Sequence, residues 1–233
     1  MSEQDDDRDL GPKIDSRPAP RPAHVTLKGR AVTVAPLAVE HAEPLFSASN
    51  GPGRDHLWAY LFNGPFKTLA AFAADVEAKA KASDPLYFVV IDNRDGRPVG
   101  YQSLMRIDPA NRVVEAGGIM YTPRLQSTIG STEAQYLFAK YVFDDLGYRR
   151  YEWKCNDRNV PSRRAALRLG FAFEGVFRQH MIIKSRNRDT AWFSMLDHEW
   201  PARRAAFEAW LAPENFDAAG KQKRRLQDFA AGG

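Results

Sequence analysis

Residues 131–171 read STEAQYLFAKYVFDDLGYRRYEWKCNDRNVPSRRAALRLGF, and within this stretch the hydrophobic period changes from helix to strand and back. Ala134, Leu137, Phe138, Tyr141 and Val142 recur at helical spacing, and the run ends at Gly147, a C-cap residue. RRYEWKCN (149–156) then reads as a strand. A short helix follows, starting at Pro161 or Ser162 and stopping at Gly170-Phe171. A strand ending in Asn that passes straight into a helix gathers unpaired N–H groups and a partial positive charge, with the short side chains of Asn159 and Ser162 beside them. The same logic holds for RLQSTIGSTEA (124–134), where small polar residues lead into the longer helix and aim backbone N–H groups at an anion such as a pyrophosphate. Each motif alone reads first as an ordinary capped helix. Two such helix starts after neighbouring strands would let one extended cofactor lie across both.

Upstream, Val25, Leu27, Val32 and Val34 alternate around Lys28-Gly29, the pattern of two strand arms joined by a tight turn. AVEHAEPLFSAS (38–49) and TLAAFAADVEAKAKA (68–82) read as helices, the second capped by Thr68. LYFVVID, PVGYQSLMRID and VVEAGGIMY read as three strands, and NRDG and PANR supply turn chemistry for consecutive antiparallel hairpins. Downstream, FAFEGVFRQHMIIK and DTAWFSMLDHEW form a strand pair around SRNR, and PARRAAFEAWLA opens a last helix on Pro201. The order predicts a mixed α/β (α+β) fold with one largely antiparallel sheet flanked by helices. Residues 1–22, acidic and Pro-rich, are expected to be a disordered N-terminal tail, 23–200 the folded domain, and 201–233 a C-terminal helix with a flexible basic tail.

The 233 residues are 44% hydrophobic, enough for a substantial core. Their 33 basic and 29 acidic residues make a mixed surface, so nucleic acid is not an expected partner. Cys155 stands alone, which excludes an internal disulfide, and the five histidines show no ligand spacing, so no metal is expected. No signal-type or membrane-spanning apolar run occurs, and a cytoplasmic location is expected. Exposed sheet edges would be compatible with a homodimer.

The element order, the stretch quoted above and the N-x-x-S…L-G-F ending resemble the GCN5-related N-acetyltransferases (GNAT), in particular the branch of RimJ/RimL type, over roughly residues 24–200. The resemblance implies a sheet in which the strand before the central helix splays from its neighbour, with acetyl-CoA wedged into the gap. It implies a pyrophosphate loop of pattern Q/R-x-x-G-x-G/A, for which Gln126, Gly130, Ser131 and Thr132 are the candidates, although Ile129 and Ser131 replace the usual glycine-type residues. Asn159 and Ser162 are implied to line the pantetheine arm. Transfer to a primary amine, a protein N-terminus or a small aminoacyl compound, requires a base and a proton donor for the departing thiolate. Glu115, on the strand that often carries the basic carboxylate, is the implied base; desolvation on an apolar strand would move such a group toward useful basicity. A tyrosine acid common in the family would fall at Ala166 here, leaving Ser162 as the candidate donor. Carbonyl polarisation would fall to a main-chain N–H near Gly117–Met120. Trp58, Tyr60, Phe62, Arg186, Asn187, Arg188 and Asp189 are expected to rim the acceptor mouth. A catalytically inactive acyl-CoA-binding module is the alternative that Ile129, Ser131 and Ala166 suggest.

Overall fold

The computed structural model describes residues 11–230. The expected arms around Lys28-Gly29 are β1 (Leu27–Lys28) and β2 (Val32–Pro36). A 3-10 turn at Val39–His41 runs into α1 (Ala42–Ser49), and Thr68 caps α2 (Leu69–Lys81), its hydroxyl oxygen accepting from the Ala71 amide at 3.2 Å. β3 (Leu86–Asp92), β4 (Arg97–Asp108) and β5 (Val113–Tyr121) form consecutive antiparallel hairpins. α3 (Ile129–Lys140) continues through a π-helical turn at Tyr141–Asp145 and leads to β6 (Arg150–Asn156). α4 (Val160–Arg168), β7 (Ala172–Ile183), β8 (Arg186–Leu196), α5 (Trp200–Leu211) and α6 (Leu226–Ala230) complete the chain.

The eight strands make one sheet in the order β1-β2-β3-β4-β5-β6-β8-β7, and every pairing is antiparallel except β5 with β6. Both faces are covered, which is why β3 reads as an almost unbroken apolar run. Phe88 and Val90 join a core with Phe138, Phe193 and Phe207 on the α3 and α5 side. Val89 turns the other way, into a core with Leu45, Trp58, Phe72 and Val76 beneath α1 and α2.

The parallel pair is short. Val113–Ala116 pair with Arg150–Trp153, and beyond them the two strands keep only their outer neighbours. β5 stays on β4 as far as Tyr121 opposite Gly100, while β6 stays on β8 as far as Asn156 opposite Thr190. A bulge bends β5 away: Gly118 and Ile119 together face Gln102, between the pairs Ser103–Gly117 and Tyr101–Met120. Gly118 takes φ +57°, and a Cβ there would sit 3.0 Å from the Tyr87 hydroxyl, so this position favours glycine twice over.

At both chain ends, segments expected to be tails pack against the domain. The Asp-rich residues 1–10 lie outside the described part, but residues 11–22, expected to be disordered, run along the domain in ordered contact. The Ala19 amide donates to the Pro109 carbonyl at 2.9 Å, Arg112 holds the Arg17 carbonyl at 2.6 and 2.8 Å, and Ala19 and Pro22 are buried. The basic C-terminal segment is likewise packed: Phe216 bridges to Gln222, Trp210 donates to the Gln222 side chain at 2.8 Å, and Leu226 enters the main core. In both segments a few anchors, too sparse to give a period, hold the backbone down.

Buried Glu133 locks the first hairpin to α3. Its carboxylate accepts from the amides of Arg30, Ala31 and Val32 at 2.9, 2.6 and 2.9 Å. Glu133→Ala would strand three donors, and we expect a loss of about 3 kcal/mol of stability in urea unfolding.

Candidate active site

The parting of β5 from β6 opens a cleft of about 1220 Å³ that runs from Met105 and Glu115 past the start of α3 to the C-terminal segment. Of the residues expected to hold a cofactor, Gln126, Gly130, Ser131, Thr132, Asn159 and Ser162 all line it. Thr128 is the N-cap of α3, its hydroxyl accepting from the Ser131 amide at 3.3 Å, so the positive end of that helix dipole faces the cleft. Gln126 folds back to donate to the Tyr121 carbonyl at 2.8 Å, and Ser127 adopts φ +59° between them. The loop thus makes its tight turn at Ser127, without glycine at 129 or 131. Thr132 is buried, and its hydroxyl accepts from Arg168 at 3.0 Å.

α4 explains the N-x-x-S…L-G-F spacing. The Asn159 side-chain oxygen accepts from the Ser162 amide at 3.2 Å, Pro161 occupies the first turn, and the chain reverses through Gly170 at φ +94°, with the Phe171 amide donating back to the Ala166 carbonyl at 3.1 Å. Asn159 is therefore a helix cap that also lines the cleft. The Ser162 hydroxyl accepts from the Trp153 indole at 3.0 Å, which leaves its own proton for donation. Ala166, where the resemblance places a tyrosine, is fully buried in the core.

Glu115 lies at the vertex, one residue before the strands part. Its surroundings are not the apolar ones expected. Its Oε2 receives Arg106 at 2.6 Å and Lys154 at 3.0 Å; Lys154 also contacts Glu152 at 2.6 Å and lies over the Trp192 ring, and Arg150 links Glu152 to Glu174 at 2.6 and 2.5 Å. The result is an alternating row of three cations and three carboxylates across β4, β5, β6 and β7. Arg106 reaches it from a left-handed residue, φ 49°, whose amide and that of Ile107 are held by Asp84 at 2.9 and 3.0 Å. Both ion-pair contacts fall on Oε2, and Oε1 lies beside Gly117, where the β6-facing edge of β5 becomes unpaired.

The expected acceptor rim divides. Tyr60, Phe62 and Arg188 line the cleft. Trp58 does not: the 3-10 turn Asp55–Trp58 rotates it inward, where it is fully buried against Phe66 and Phe72 and donates to the Ser49 carbonyl at 2.8 Å. Arg186 and Asn187 are exposed at the start of β8, away from the cleft. Asp189 is used structurally, accepting from the Gln179 amide at 2.7 Å and from Asn187 at 3.0 Å across the irregular part of β7. The two walls of the mouth are nevertheless joined: Lys184, in the β7–β8 turn, donates to the carbonyls of Trp58 and Gly64 at 2.8 and 2.7 Å.

Sequence reasoning missed Arg106, Lys154 and Cys155 as cleft residues, and Lys221 in the C-terminal segment. Glu152 and Lys154 carried a signal, since charges at alternate positions of a strand face one side together. For Lys221 no local pattern exists.

A family model described as an acetyltransferase (GNAT) domain matches residues 32–172. A GCN5-related N-acetyltransferase from Brucella melitensis superposes with a TM-score of 0.91 at 52% identity, covering 93% of this chain and 99% of that one. A probable GNAT-family acetyltransferase from Chromobacterium violaceum gives 0.76 at 37% identity, covering 82% and 96%. The microcin C7 self-immunity acetyltransferase MccE, solved with acetyl-CoA and AMP, shares the fold at 20% identity, with a TM-score of 0.64 over 72% of this chain and 93% of that one. No curated protein matches. The chain belongs to the GNAT acetyltransferase family, in its RimJ/RimL-like branch, and is an acyltransferase.

Burial pushes the Cys155 thiol up, partly offset by its hydrogen bond with Ser162. A raised thiol is protonated over more of the pH range, so alkylation by iodoacetamide at pH 8 is expected to be at least about tenfold slower in the native protein than in urea, and to accelerate as pH rises.

Proposed function

We propose that the protein transfers an acetyl group from acetyl-CoA to a primary amine by direct attack within a ternary complex. The observation that carries this reading is the placement of Glu115 at the vertex of an open strand pair whose far end meets the capped start of α3. Acetyl-CoA supplies an activated thioester. The residues fit it: the first turn of α3, with Gln126 and Gly130–Thr132, suits a pyrophosphate, and the unpaired edges beyond Ala116 and Trp153 suit the amide-bearing pantetheine arm. Arg164, Arg168 and Lys221 add positive charge at the nucleotide end.

Glu115 removes the proton from the acceptor ammonium, using Oε1 directly or through a water, while Arg106 and Lys154 fix the carboxylate through Oε2. A main-chain N–H of the β5 bulge, near Gly117–Met120, polarises the carbonyl. Ser162 supplies the proton for the departing sulfur: its oxygen already accepts from Trp153, and its O–H turns from Cys155 to donate into the cleft.

Incubation with acetyl-CoA, a free-thiol reagent and an amine panel tests the reading. Glu115→Gln is expected to lower turnover by about 100-fold or more while the Kd for acetyl-CoA stays within about twofold; wild-type activity in that variant would remove Glu115 from the mechanism. Asn159→Ala is expected to cost about 1 kcal/mol of stability through the lost cap and to weaken acetyl-CoA binding in calorimetry.

A further inference from the structure

Resting on the acetyl-transfer reading above, we propose that Arg188 selects acceptors, and that the physiological acceptor is an amine that also carries an anionic group, a carboxylate or a phosphate ester. Arg188 stands on β8 and lines the cleft at the acceptor mouth. It is 8% exposed, and among the described residues its guanidinium makes no ion pair and no hydrogen bond; its Nε is buried without a partner. The one ring it meets is Phe62, 5.4 Å away, which belongs to the loop between α1 and α2 that forms the opposite wall.

A buried cation without a counter-ion is costly and is seldom retained without a use. Glu115 is near enough to attract it electrostatically but makes no ion pair with it. Glu115, Glu152 and Glu174 are already matched by Arg106, Lys154 and Arg150, so that row balances by itself and Arg188 remains as one positive charge in excess. A fork of N–H donors facing a cleft, backed by an aromatic ring, is the geometry that takes a two-oxygen anion in parallel hydrogen bonds. Because Arg188 and Glu115 line the same cleft from β8 and β5, one small molecule can place its amine at Glu115 and its anion at Arg188. A neutral peptide N-terminus offers no such anion.

The experiment uses the full chain with acetyl-CoA and matched acceptor pairs: α-, β- and γ-amino acids against their primary amides, 2-aminoethyl phosphate against ethanolamine, and a neutral peptide amide. For the wild type, the carboxylate or the phosphate member should exceed its neutral partner by roughly 10- to 100-fold in kcat/KM, and which of the two does so identifies the anion. Arg188→Gln should erase the difference through acceptor KM, with acetyl-CoA affinity unchanged. Arg188→Met should melt at or above the wild-type temperature, since it removes an unpaired buried charge. Neutral partners that perform as well as the anionic ones would overturn the inference while leaving acetyl transfer intact, as would a fall in melting temperature of more than about 4 °C for Arg188→Met, the mark of a structural residue. Failure to bind acetyl-CoA at all would instead remove the acetyl-transfer reading, and this inference with it.

Discussion

The structure depends on a pairing that stops early. Four residues of β5 lie parallel to four of β6, and the hydrogen bonds that would continue the ladder are given up because the bulge at Gly118 bends one strand while the other stays with β8. Unpaired strand edges inside a domain are costly unless a ligand or water satisfies them. Here they border a cleft into which a helix start also opens, so unpaired main-chain groups and a positive helix end face one open cleft. A parallel pair also requires a long crossover, and α3 is that crossover, which is why its first turn and the vertex belong to one site.

Electrostatic order follows from this geometry. Charges that would be solvated on separate strands are brought into one row beside the vertex, where Arg106, Lys154 and Arg150 alternate with Glu115, Glu152 and Glu174. Burial makes such a row expensive to break and fixes the direction in which Glu115 presents its second oxygen. Arg188 stands outside that balance, buried and without an ion pair among the described residues. The C-terminal segment closes the other end, with Trp210 packed under Arg168 and Lys221 on the rim.

Much of the fold was legible because its determinants are local. Thr68, Asn159 and Gly170 act at caps and turns within four residues of themselves, and the switch of period at Gly147 marks the end of the central helix segment. The two helix starts that line the cleft were legible for the same reason. The aromatic mouth of the cleft was not. Trp58 and Tyr60 belong to one aromatic loop, and nothing nearby states that one turns inward to the Ser49 carbonyl while the other reaches the Arg158 carbonyl at 3.0 Å. Asp189 was expected at the mouth together with Arg188, yet neighbours on a strand point to opposite faces, and Asp189 holds the Gln179 amide instead.

The sequence by itself determined the order and kind of the elements, the capped helix starts and the family, because hydrophobic period, capping and turn chemistry act over a few residues along the chain. Tertiary structure alone decided which charges meet, since Arg106, Glu115, Lys154 and Glu174 become neighbours through the strand order β4-β5-β6-β8-β7. Coulomb energy depends on separation in space and on burial, and neither quantity is written in the spacing of residues along a chain.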